Sequence, residues 1–92
     1  MFGSFQMLPS YKPINLPQKL ATAFQNITDG LVGASYTPVF YAGTQVANGT
    51  NHMLFCVQNM VTARPESHLV KMIINEQNNG ADASIVSVET II

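Results

Sequence analysis

Ninety-two residues make one domain, 1–92, with no room for a second. Hydrophobic residues are 47% of the chain and charged ones only 10%, with polarity carried by eight Asn and six Gln, which excludes the charged, apolar-poor composition of a disordered chain. Four basic residues against five acidic ones give a net charge of −1, so neither nucleic acid nor an anionic membrane has an electrostatic footprint to bind, and partners must be recognised by shape and backbone hydrogen bonds.

Residues 1–14 carry Pro9 and Pro13 and show no helical period, so they read as an extended apolar arm or a first strand. From Leu16 the apolar positions fall at Leu16, Leu20, Ala23, Phe24, Ile27 and Leu31, the spacing of one helix face. Asn15 stands as the expected cap, Pro17 in the first turn, Gln18 as a capping-box partner and Asp29-Gly30 as the stop. Beyond Gly33, Ser35 to Val46 and Thr50 to Thr62 are rich in residues suited to a pleated, half-buried surface. Asn48-Gly49 lies between them and predicts a type I′ hairpin turn, in which both residues take positive φ. After a polar loop at Arg64-Pro65-Glu66-Ser67, two further strands are expected, His68 to Asn75 and Ser84 to Ile92, separated by the turn-rich stretch Glu76 to Asp82.

The expected fold class is therefore α+β, with one N-terminal helix packed on a four- to five-stranded antiparallel meander sheet. The two-residue period puts His52, Leu54 and Cys56 on one face of the third segment and Met53, Phe55 and Val57 on the other. Both sets are largely apolar, and one helix covers only one face. Met53, Phe55 and Val57 are thus interface candidates, shielded by the arm or buried in a homodimer.

Chemistry-bearing residues are few. The single Cys56 excludes an intramolecular disulfide and a Cys-cluster zinc site, and the N-terminal stretch has no basic region followed by an apolar one, so a cytoplasmic protein is expected. Cys56 shares the Leu54 face and reads as a buried structural thiol. His52 and His68 fall on different strands, and the acids Asp29, Glu66, Glu76, Asp82 and Glu89 sit mostly in turns with no paired spacing. No phosphate loop, zinc motif or nucleophile elbow occurs, so neither catalysis, a cofactor nor a metal site is expected.

The helix–hairpin–hairpin order, with Gln45-Val46-Ala47-Asn48-Gly49-Thr50-Asn51 at the first hairpin, resembles the cystatins, and among them the small disulfide-free intracellular type, the stefins. That family carries Gln-x-Val-x-Gly at the first hairpin tip, commonly followed by Thr-Asn. The resemblance implies an inhibitor of papain-like cysteine proteases that wedges an N-terminal arm and two hairpin tips into the protease cleft. Its protease-binding residues are Gln45, Val46, Ala47, Asn48 and Gly49 at the tip, and Gly3 where the arm bends. The sequence departs from the family at Ala47, where a Val is usual, and in a second hairpin with neither Trp nor Pro. Two other readings stay open: a non-inhibitory structural or protein-interaction module of the same fold, and a small-molecule carrier using a pocket between helix and sheet.

Overall fold

A computed structural model of the chain describes Phe5, Met7 and residues 10–77 and 83–92. The amphipathic stretch after Pro17 forms α1 (Gln18–Asp29). Its start differs from the expectation: no side chain caps it, and Asn15 is not the cap. Pro17, held extended at φ −50° and ψ 141°, occupies the capping position, and its carbonyl accepts the first helical bond from the Ala21 N–H at 2.8 Å. The fixed φ of the proline ring places the boundary there, which leaves Asn15 two residues too early to reach the free N–H groups. The helix ends where Asp29-Gly30 indicated. Leu31 therefore lies outside it and is exposed rather than on the buried face. Gly33, at φ +87°, turns the chain into the sheet.

Four strands follow: β1 (Ala34–Ala47), β2 (Gly49–Met60), β3 (Glu66–Glu76) and β4 (Ala83–Thr90). They pair antiparallel in the order β1-β2-β3-β4, the meander that short connections favour. The architecture is α+β. β3 starts two residues earlier than its apolar pattern, because Glu66 and Ser67 pair with Met60 and Asn59 despite their polarity. No fifth strand occurs among the described residues. The arm touches the sheet edge through Ile14, whose N–H donates to the Pro38 carbonyl at 3.0 Å.

The core lies on one face of the two central strands. Cys56 stands opposite Val70, Leu54 opposite Met72 and His52 opposite Ile74, so alternate residues of β2 and β3 form one inward layer. Leu54, Cys56, Val70, Met72 and Ile74 are fully buried there. Leu20 and Phe24, one helical turn apart on α1, belong to the same cluster, and Leu16, Ile27, Tyr36, Tyr41, Ala83 and Ile85 close its margin.

β1 is the least regular strand. Its pairing with β2 shifts between Pro38 and Phe40 and again between Tyr41 and Gly43, two bulges that leave Val39 and Ala42 without partners. Their effect is to send Phe40 outward, beside Phe55 at 6.0 Å between ring centroids, and Tyr41 inward, beside His52. Pro38 is tolerated because β1 is an edge strand.

Candidate functional site

The tip of the first hairpin is built differently from a two-residue turn. Pairing continues through Val46 with Thr50 to Ala47 with Gly49, leaving Asn48 alone between the strands; Gly49 has φ +89° and Asn48 does not take a positive φ. This corrects the expected type I′ geometry: the left-handed conformation falls on Gly49 alone, and Asn48 does not share the burden. Gly49 is also buried. A Cβ there would stand 2.5 Å from the Glu76 carbonyl oxygen, so the absent side chain lets the start of β2 lie against the end of β3. Gly49 thus supports the tip from behind. Val46, 90% exposed, together with exposed Gln45, Ala47 and Asn48, forms its surface.

Amide side chains brace this projection. Gln45, Asn51 and Asn75 stand side by side on three adjacent strands. The Asn51 amide donates to Gln45 Oε1 at 3.2 Å, and the Asn75 amide donates to Asn51 Oδ1 at 2.9 Å and to the Asn48 carbonyl at 2.8 Å. Gln77 Nε2 donates to Asn75 Oδ1 at 2.5 Å. The high Asn and Gln content thus has a structural use: a ladder that ties the tip carbonyl to β3 without any charge. Each such bond contributes about 0.5–1.5 kcal/mol net. Glu76 pairs with both Thr50 and Ala83, so the β3–β4 connection leaves the sheet at the same end as this tip.

Behind the ladder, on the helix-facing side, lies a small polar island. His52 is 8% exposed, and its Nδ1 lies 2.6 Å from the Tyr41 hydroxyl. Burial, and then the nearby Glu76 carboxylate, raise the Tyr41 phenol above its ordinary value, which keeps it protonated and able to donate to Nδ1. In that tautomer the Nε2 proton faces Glu76 Oε1 at 3.7 Å, too far for a hydrogen bond, and Nε2 has no partner among the described residues. His68 is separate, on β3, with Nε2 2.9 Å from Glu66 Oε2. No three His, Cys, Asp or Glu residues cluster as metal ligands among the described residues.

Cys56 lies two residue pairs from this island, wholly buried, and burial pushes its thiol up to about 12. A raised folded-state value means that the thiol's contribution to stability is complete below the unfolded value near 9 and is lost as pH rises toward 12. The native protein at pH 8 is expected to resist a thiol-specific reagent such as a colorimetric disulfide, with full reaction only in denaturant. Rapid stoichiometric labelling of native protein would show the sheet face to be assigned wrongly.

The outer face of the sheet carries the interface candidates. Met53 and Phe55 are half-buried there, beside exposed Phe40, but Val57 is 1% exposed. Its short β-branched side chain stands on a central strand between Thr37 and Leu69, which leaves it no surface for a partner and removes it from the candidates. Gly3 lies outside the described residues. A hollow of about 330 Å³ between Leu16, Phe24, Thr28 and Tyr36 is the place between helix and sheet where the carrier reading would put its ligand. No helix among the described residues is long and apolar enough to cross a membrane.

Comparison with protein-family models, with curated proteins and with solved structures finds no match to this chain.

Proposed function

We propose that the chain is a cystatin-like inhibitor of papain-like cysteine proteases, with the first hairpin tip as the principal contact and no catalysis of its own. The observation that supports this reading is the exposed, uncharged projection Val46-Ala47-Asn48, backed by Gly49 and tied to β3 through the Asn48 carbonyl. A braced tip loses little conformational entropy on docking, so a small contact area can yield a useful affinity. Glu76 and Ala83, where β3 ends and β4 begins, pair at this end of the sheet, and the resemblance to the cystatins assigns the rest of the wedge to the connection between them and to the arm carrying Gly3. A reducing, cytoplasmic setting accords with a single buried thiol.

Inhibition of papain titrated with the full chain tests the reading. Val46→Asp, at a position 90% exposed, is expected to weaken inhibition at least about tenfold while leaving the thermal melt in place. Absence of inhibition by the wild-type chain at about 10 µM would sink the proposal. Gly49→Trp is a poor probe, since it displaces the Glu76 backbone whatever the tip binds.

A second reading, a non-inhibitory protein-interaction module of the same fold, is supported by the outer face, where Phe40 is 58% exposed beside half-buried Met53 and Phe55.

A further inference from the structure

The outer face has an ordered surface. Strand register sets its side chains in rows across the sheet. One row is Phe40, Phe55, Lys71 and Glu89, and the next, toward the hairpin tip, is Gly43, Met53, Ile73 and Ser87. The first row stands high at β1, where Phe40 projects into solvent, and the second is low there, because Gly43 has no side chain. A hollow of about 280 Å³ opens beside Gly43, Thr44, Met53 and Ile73. Cavities of roughly 150 Å³ already hold a benzene ring. Knob and hollow are one row apart on the same strand.

The apolar middle of this face is framed by neutral polar side chains. The Gln45–Asn51–Asn75 ladder closes the tip end, and Ser67, bonded to Asn59 Oδ1, closes the other. The charges within it, Lys71 and Glu89, already neutralise each other at 3.0 Å. An apolar centre with a polar rim and satisfied charges is the anatomy of a protein interface.

We infer that this face binds a second copy of the chain, back to back, about a two-fold axis that crosses the strands between the two rows. A two-fold contact requires that a patch be complementary to itself. Rotation about that axis exchanges the rows: Phe40 of each copy enters the hollow at Gly43 of the other, and Phe55 lies over Met53. Lys71 lays its aliphatic stem over Ile73 while its ammonium stays with its own Glu89. The arrangement is an aligned sandwich of two sheets about 10 Å apart. About that axis the rows from Val57 to Asn51 overlap across four strands, roughly 20 by 19 Å, near 400 Å² per copy, the size of a weak, reversible contact. A net charge of −1 per copy adds almost no repulsion.

Sedimentation velocity of the full chain from about 1 µM to about 1 mM tests this, with a concentration-dependent monomer–dimer equilibrium expected. Phe40→Glu removes the knob and Gly43→Leu fills the hollow; each is expected to weaken dimerisation at least about tenfold. Both leave the monomer intact, because Phe40 is 58% exposed and nothing lies within 4 Å of a Cβ at Gly43. Thermal melts at low concentration check that. A wild-type chain that stays monomeric throughout overturns the inference and hands the face to another occupant, as does a dimer that ignores both substitutions. The outcome is separable from protease inhibition, which the tip performs in either state.

Discussion

Replacing Phe24 with alanine is expected to cost about 3–5 kcal/mol in a denaturant melt, a large share of the roughly 5–15 kcal/mol that holds a small domain folded. Phe24 is 6% exposed and, with Leu20, carries α1 into the cluster formed by Leu54, Cys56, Val70, Met72 and Ile74. Truncation loses the transfer energy of the ring and leaves a void that neighbours on two central strands cannot fill, because sheet pairing fixes them. Val32→Ala is the matched control. That side chain is 99% exposed, and its loss should stay within about 0.5 kcal/mol. A loss below about 1 kcal/mol at Phe24 would mean that the helix does not rest on this face.

The second large effect is expected at Gly49. Alanine there meets two obstacles: a backbone at φ +89°, and a Cβ 2.5 Å from the Glu76 carbonyl oxygen. The strained backbone alone costs about 1–3 kcal/mol, and the contact forces the end of β3 to move as well. Since Glu76 also faces His52, the displacement should be visible in the His52 imidazole resonances as well as in the melting temperature. Gly30→Ala provides the comparison. It has a helical φ of −78° and open space around it, so stability should change by less than about 1 kcal/mol. Equal effects at the two glycines would contradict the tip geometry.

Much of the fold can be read from residue order. The helix shows itself by apolar spacing from Leu16 to Ile27, and the four strands by β-rich stretches between turn residues. The inward set His52, Leu54 and Cys56 follows from simple alternation. Alternation fails in β1, where two bulges reverse the faces of Phe40 and Tyr41, and no local signal in Pro38-Val39-Phe40-Tyr41-Ala42 separates a bulge from a regular pleat. The polar island was hidden for that reason: Tyr41 reaches His52 only because of the bulges. The amide ladder was hidden for another. Gln45, Asn51, Asn75 and Gln77 look like ordinary turn-flanking residues until the β2–β3 register brings them together. At the tip, Asn48-Gly49 marks the hairpin, but the dipeptide does not specify that pairing runs on to Ala47 and Gly49 with the positive φ on Gly49 alone. Gly49 as a contact residue was a reasonable expectation from the motif, and its burial against Glu76 gives it a supporting role.

The brace beneath the tip has a consequence for where such a hairpin keeps its shape. Carboxylate braces fail when they take up protons, and ion pairs fade as salt rises. Amide groups do neither, since they have no titration in the ordinary range and no net charge to screen. The ties from Asn75 to Asn48 and Asn51 therefore hold in acid as they do at neutrality, and in brine as in dilute buffer. A recognition element fixed in this way presents the same outline to its partner in an acidified compartment as in neutral solution.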